Sequence, residues 1–94
     1  MTAQPRPEIT VLYFAAASSA TGRTHECIEL PKTPFPLRDL AGFLSSRYPN
    51  TTLRKVLERS QWSVDAEMVP EEEVNDLTLS GGEEIGIICP VSGG

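Results

Sequence analysis

The feature that most constrains the fold is an apolar segment near the start of this 94-residue chain, residues 9–15. Its β-branched and aromatic side chains predict a strand, and because both alternating faces are apolar, that strand should be central in a sheet. Residues 84–88 also indicate a strand, with Ile85 and Ile87 on one face and Gly86 and Ile88 on the other. These two strands lie too far apart in sequence for a hairpin, so we expect them to pair side by side at the centre of the sheet.

The segments between these two strands predict an α+β domain. Residues 25–30 and 61–65 alternate as strands do, and apolar residues recur at helical spacing over 37–48, with a shorter helix indicated at 52–57. By composition, residues 18–22 and 70–73 predict loops, and residues 80–82 a turn. This order predicts a ubiquitin-like β-grasp, a mixed sheet covered by one main helix. We expect a flexible tail at 1–8, the domain at 9–90 and an extended Gly-Gly tail at 91–94.

Charge and composition exclude several classes of partner. The net charge is −5, from 13 acids and 8 bases, which argues against a nucleic-acid backbone as partner. No apolar run approaches the roughly 20 residues that span a membrane. The two cysteines, Cys27 and Cys89, are too few for a disulfide framework, and a reducing cytoplasm is the expected compartment.

The usual catalytic groupings are missing from the sequence. His25 is the single histidine, and a lone histidine in a strand is typically a surface residue. No sequence feature marks Cys27 as an activated nucleophile, and no Cys or His pair has metal-ligand spacing. Residues 71–73 indicate a solvated acidic loop, and Gly81-Gly82 lacks the following Lys-Ser/Thr of a phosphate-binding loop. The sequence therefore does not predict a self-sufficient enzyme or a metal site.

The unusual feature is the end of the chain, a carboxylate preceded by two glycines. Without a Cβ, Gly93 and Gly94 can thread a channel too narrow for side chains. Pro90 restricts the direction in which the tail leaves the last strand. A terminal Gly-Gly on its own would also fit a frayed end of no consequence.

The residues before the two glycines carry a more specific signal. Residues 82–94, Gly-Glu-Glu-Ile-Gly-Ile-Ile-Cys-Pro-Val-Ser-Gly-Gly, resemble the terminal signature of the molybdopterin synthase small subunit, a sulfur-carrier family. That family pattern is G-[DE]-E-[VI], two or three apolar residues, then P-P-[VI]-[ST]-G-G. The run Val-Leu-Tyr-Phe-Ala at 11–15 resembles the family's first strand, and Trp-Ser-Val-Asp at 62–65 a later one.

The resemblance implies a carrier whose working group is the carboxylate of Gly94. A ubiquitin-activating-type enzyme would use ATP to convert that carboxylate to a glycyl adenylate, and sulfur would then replace the nucleotide to give a thiocarboxylate. The large subunit of the synthase, in a heterotetramer, would take the sulfur to cyclic pyranopterin monophosphate. The chain would bind no permanent cofactor and would be a non-catalytic, sulfur-donating subunit.

The same resemblance implies roles for residues near the tail. Gly93 would thread the partner's pocket, and Ile88, Gly86, Pro90 and Val91 would contact partners. Gly86 would leave room for close approach. Core packing is the alternative role for Ile88.

Two positions depart from the family pattern. Cys89 stands where the first of two prolines is usual, so the tail should leave the sheet with more freedom. Asp65 replaces a common asparagine and should alter the turn after its strand. Two alternative functions stay open, a carrier for thiamine synthesis or tRNA thiolation, and a ubiquitin-like modifier joined to targets through an isopeptide bond.

Overall fold

The computed structural model describes residues 7–89, and within that range the chain forms three short α-helices and seven strands. The predictions for Pro90, Val91, Gly93 and Gly94 concern residues outside this range. The strands are β1 Glu8–Tyr13, β2 His25–Glu29, β3 Phe35–Pro36, β4 Gln61–Val64, β5 Glu67–Met68, β6 Thr78–Leu79 and β7 Glu84–Ile88. The helices are α1 Ala15–Thr21, α2 Leu40–Arg47 and α3 Leu53–Arg59, with 3-10 turns at Leu37–Asp39 and Glu71–Glu73.

The main sheet has the order β2-β1-β7-β4-β5, and β3 pairs with β6 separately. Strand β1 pairs in parallel with β7, and the neighbouring pairs β1–β2, β7–β4 and β4–β5 are antiparallel. The expected central pairing of the first and last strands is therefore confirmed, and so is the α+β class with a mixed sheet.

One face of this sheet packs on all three helices, and we call it the inner face. Ile85 and Ile87 of β7 are completely buried there, as the alternation predicts. The cover is shared by helices of 7, 8 and 7 residues rather than dominated by one main helix. The core side chains these elements contribute are Ile9, Val11, Tyr13, Ala17, Ile28, Leu40, Leu44, Leu53, Leu57, Trp62, Ile85 and Ile87.

Helix α1 corrects the loop expected at residues 18–22. Its segment begins with three alanines, the best helix formers, although the following serines suggested a loop. Ala17 is completely buried in the core. Gly22 ends the helix in the left-handed conformation (φ 73°), and its N–H donates to the carbonyl of Ser18. Packing and this cap outweigh the local turn composition, so β1 stops at Tyr13 rather than reaching residue 15.

The expected turn at residues 80–82 is confirmed and requires glycine. Gly81 has a φ of 114°, and a Cβ there would lie 3.1 Å from the Cβ of Pro7. Both its backbone conformation and the close approach of the segment before β1 exclude a larger residue.

A carboxylate fastens β2 to β1 and α2. Glu26 accepts hydrogen bonds from the hydroxyl of Tyr48 at 2.6 Å, from Arg47 at 2.8 Å and from the hydroxyl of Tyr13 at 3.0 Å. Burial raises the pKa of Glu26. The hydrogen bonds from Tyr48, Arg47 and Tyr13 lower it by more, so the pKa of Glu26 in the folded protein lies below its ordinary value. The charged form is thus the one that the fold favours.

Glu26 should therefore make stability depend on pH. Because its pKa is lowered by folding, its contribution is complete above its ordinary pKa and is lost as pH falls through the folded value. We expect Glu26→Gln to cost about 1–3 kcal/mol near pH 7. The difference from the wild type should shrink in acid, measured by urea unfolding at several pH values. A difference that stayed constant down to about pH 3 would contradict this role.

The turn between β4 and β5 holds two residues in the left-handed region. Asp65 has a φ of 51° and Ala66 a φ of 71°, the pattern of a two-residue hairpin turn for which Asn-Gly is preferred. Asp65 tolerates this conformation, and its carboxylate accepts a hydrogen bond from the N–H of Glu84 at 2.9 Å. The aspartate therefore keeps the tight turn and ties it to β7.

Ala66 has no such compensation, so Ala66→Gly is expected to stabilise the protein. Relief of the left-handed alanine should exceed the entropy that glycine adds to the unfolded chain, for a gain of about 0.5–1 kcal/mol. Urea midpoints measure the change. The matched control is Ala16→Gly in helix α1, which should lose about 0.5–1 kcal/mol. Equal losses in both variants would show that the turn at Ala66 is unstrained.

Candidate functional site

The face of the sheet opposite the helices presents its side chains in rows, which the strand register defines. We call it the outer face. One row crosses all five strands, and a second lies next to it at the end of the sheet where β7 finishes. The first row is His25, Leu12, Gly86, Ser63 and Met68. The second is Ile88 and Gln61, joined by Phe14, which follows β1 and whose ring lies near Gly86 as the side chain of Ile88 does.

Large apolar side chains of these two rows remain accessible. Phe14 is 46% exposed and Met68 is 50% exposed. Leu12 and Ile88 are half-buried. Exposed large hydrophobic residues that share one surface mark a site of association. The outer face therefore has the character of a docking surface.

Ile88 lies opposite Ile85 and Ile87, as the alternation of β7 predicts, and the structure shows that this is the outer face. It is half-buried, whereas Ile87 beside it is completely buried on the inner face. The core role for Ile88 is thus the less favoured alternative. Contact of Ile88 with a partner stays a prediction.

Gly86, which has no side chain, determines how the neighbouring side chains of the outer face pack. It is buried, and a Cβ at this position would collide with the hydroxyl of Ser63 and lie 3.5–3.6 Å from the side chains of Ile88 and Phe14. The chain's own side chains therefore occupy the room that the glycine leaves. Gly86 lets Phe14 and Ile88 converge, and through them it affects whatever the face contacts.

The root of the C-terminal tail lies at the edge of this face. The thiol of Cys89 donates a hydrogen bond to the carbonyl oxygen of Phe14 at 3.3 Å, and its sulfur lies 3.8 Å from the Ser60 hydroxyl. These contacts fix the side chain of Cys89, the last residue that the structure describes, and the predicted freedom of the residues after it stays a prediction.

The sequence did not single out Phe14, Leu12 or Met68 as site residues. Two of them carry a signal that could have been used, since Leu12 and Phe14 alternate with the core residues of β1 and are still apolar. Met68 offers no local signal, because β5 has only two residues. Their common surface emerges only from the sheet register.

Other reactive side chains lie away from the tail root. His25 and Cys27 are exposed on the edge strand β2, where the Cys27 sulfur is 3.9 Å from the Thr10 hydroxyl. In the part of the chain that the structure describes, no three His, Cys, Asp or Glu side chains are grouped as metal ligands. The same part contains no helix long and apolar enough to cross a membrane.

Comparisons with known proteins agree with this architecture. The model of the ThiS family matches residues 11–94. The molybdopterin synthase sulfur carrier subunit of Mycosarcoma maydis is 42% identical over 88 residues, covering 94% of this chain and 95% of the relative.

Solved structures confirm the fold. A putative molybdopterin converting factor subunit 1 from Pyrococcus furiosus superposes with a TM-score of 0.73 at 24% identity, covering 90% of this chain and 99% of that one. A chain from the complex of subunits 1 and 2 of the molybdopterin-converting factor of Helicobacter pylori has a TM-score of 0.63 at 17% identity, covering 93% and 99%. These neighbours support the ubiquitin-like β-grasp. This chain belongs to the ThiS family, and its match to a curated relative along nearly the whole of both chains places it beside the molybdopterin synthase sulfur carrier subunits.

Proposed function

We propose that this chain carries sulfur on its C-terminal glycine for a molybdopterin synthase. The observation that carries the proposal is that Cys89, the last residue the structure describes, lies beside the apolar outer face, where its thiol hydrogen-bonds to the carbonyl of Phe14. A partner that covers Phe14 and Ile88 would receive the tail in its own pocket. The curated relative from Mycosarcoma maydis is named for this role.

The chemistry acts on the carboxylate of Gly94. A carboxylate oxygen attacks the α-phosphorus of ATP on an activating enzyme, and pyrophosphate leaves. A persulfide sulfur then adds to the acyl carbon, and AMP departs to leave an acyl disulfide. A thiol cleaves the sulfur–sulfur bond, which releases the thiocarboxylate. Attachment to a docked protein gives this nucleophile a high effective concentration at its acceptor, and enclosure limits its hydrolysis.

Two partners follow from the proposal. One is the activating enzyme, which supplies ATP chemistry that no described residue of this chain provides. The other is a large synthase subunit, in a heterotetramer with two carrier chains. The Helicobacter pylori neighbour comes from a complex of the two corresponding subunits. The free thiols of Cys27 and Cys89 fit a reducing compartment such as the cytoplasm.

Intact mass spectrometry tests the carrier role directly. The protein, ending at Gly94, is incubated with its activating enzyme, a persulfide donor and ATP, and a parallel sample lacks ATP. We expect a mass gain equal to the difference between sulfur and oxygen, seen only with ATP. A covalent conjugate to another protein would instead support the ubiquitin-like modifier. Transfer of sulfur to tRNA or a thiamine precursor, but not to cyclic pyranopterin monophosphate, would support the other carrier pathways.

A further inference from the structure

Two polar residues of β4, Gln61 and Ser63, lie beside the apolar side chains of the outer face, and Ser63 is the more buried of the two. Ser63 of β4 pairs with Gly86 on one side and with Met68 on the other, so it occupies the row between them. It is half-buried, whereas Met68 next to it is 50% exposed. Its hydroxyl thus faces the region that a docked partner would cover.

The hydroxyl of Ser63 has no hydrogen-bond partner among residues 7–89. Ser60 and Thr21 show the contrast, since each donates to the carbonyl of the residue four positions earlier, at 2.6 Å and 3.0 Å. Strand β4 offers no such carbonyl, because it is paired on both sides, with β5 and β7. The Ser63 hydroxyl is not among the fully buried, unpaired side-chain atoms, so water can reach it in the free protein.

Gly86 fixes where this hydroxyl sits. The Ser63 oxygen occupies the space in which a Cβ of Gly86 would lie, with Ile88 and Phe14 bordering the same space. The oxygen is thus held against the middle of the face and is not displaced to its rim. A partner that covers Phe14 and Ile88 also covers Ser63.

Covering a hydroxyl without replacing its hydrogen bond to water is costly. An alanine would avoid that cost on a purely apolar interface. We infer that Ser63 is a specificity-determining residue of docking, whose hydroxyl forms a hydrogen bond with a polar group of the large synthase subunit. This inference rests on the proposed function and adds a polar requirement to an apolar interface. A large subunit with only apolar groups opposite Ser63 would be disfavoured.

The test measures binding of the purified cognate large subunit to wild type and Ser63→Ala. Loss of the hydrogen bond should raise the Kd about tenfold, within a range of about 5- to 100-fold. A matched pair separates hydrogen bonding from shape, since Ser63→Thr keeps the hydroxyl and Ser63→Val replaces it with a methyl group of similar size. The threonine variant should bind more tightly than the valine variant.

Kinetic measurements distinguish a role of Ser63 in docking from a purely structural role. In sulfur transfer by thiocarboxylated carrier, Ser63→Ala should raise KM for the carrier and leave kcat at saturation unchanged, with the same Tm as wild type. Equal or tighter binding by Ser63→Ala would overturn the inference, and so would equal binding by the threonine and valine variants. In both cases, binding of the wild type to the large subunit would still support the proposed function. Failure of the wild type to bind the large subunit would overturn both.

Discussion

Sulfur transfer is expected to stop when the chain is extended beyond Gly94 by a C-terminal tag. The reactive group is the terminal carboxylate, and a peptide bond at Gly94 removes the oxygen that attacks ATP. The fold should be unchanged, because the core cluster that the structure describes is built from residues that precede the tail. Thiocarboxylate formation by intact mass and sulfur transfer to the pterin precursor measure the loss.

A cleavable tag provides the control for this prediction. Proteolysis that leaves Gly94 as the last residue should restore transfer. Deletion of Gly94 should also abolish sulfur transfer, because it shortens the reach of the terminal carboxylate by about 3.3–3.6 Å. That loss is as large as the distance of about 3–3.5 Å within which a nucleophile must approach its target. Wild-type transfer by an uncleaved, tagged chain would refute the carrier role.

Ile88→Asp is expected to separate docking from folding. A carboxylate at this position of the outer face would be buried without a partner when the large subunit covers it, at a cost of about 2–5 kcal/mol in binding. That corresponds to a loss of affinity of roughly 30- to several thousand-fold. Stability should fall by only about 1 kcal/mol, since Ile88 is half-buried.

The neighbouring residue in β7 is the matched control. Ile87 is completely buried on the inner face, so Ile87→Asp places a carboxylate in the core and should unfold the protein. Titration calorimetry with the large subunit and urea unfolding measure the two effects. If Ile88→Asp lost as much stability as Ile87→Asp, Ile88 would belong to the core and would not be part of the docking surface.

Much of the sheet could be predicted from local pattern. The alternation of residues 84–88 put Ile85 and Ile87 on one face and Ile88 on the other, and the apolar character of the first strand indicated its central position. These predictions succeed because side chains in a strand point to opposite faces in turn, whatever lies around them. The terminal Gly-Gly, the family signature and the proposed chemistry could also be identified from the sequence alone.

Local composition was misleading at helix α1. Its serines and its Thr-Gly end favour a loop, yet Ala17 packs against the core and Gly22 caps the helix. A helix of seven residues is not stable by propensity alone. Tertiary contacts decide its existence, so no window of sequence could have predicted it firmly.

The candidate docking surface was decided by tertiary structure. Phe14, Met68 and Ile88 belong to three distant segments, and the register of β1, β7, β4 and β5 brings them to one face around Ser63. The same holds for Glu26, whose three hydrogen-bond partners come from β1 and from the end of α2. The sequence by itself determined the strand faces, the Gly-Gly terminus and the family. Only the fold determined which outward residues become neighbours, because strand pairing depends on the packing of the whole core and not on the residues of any one strand.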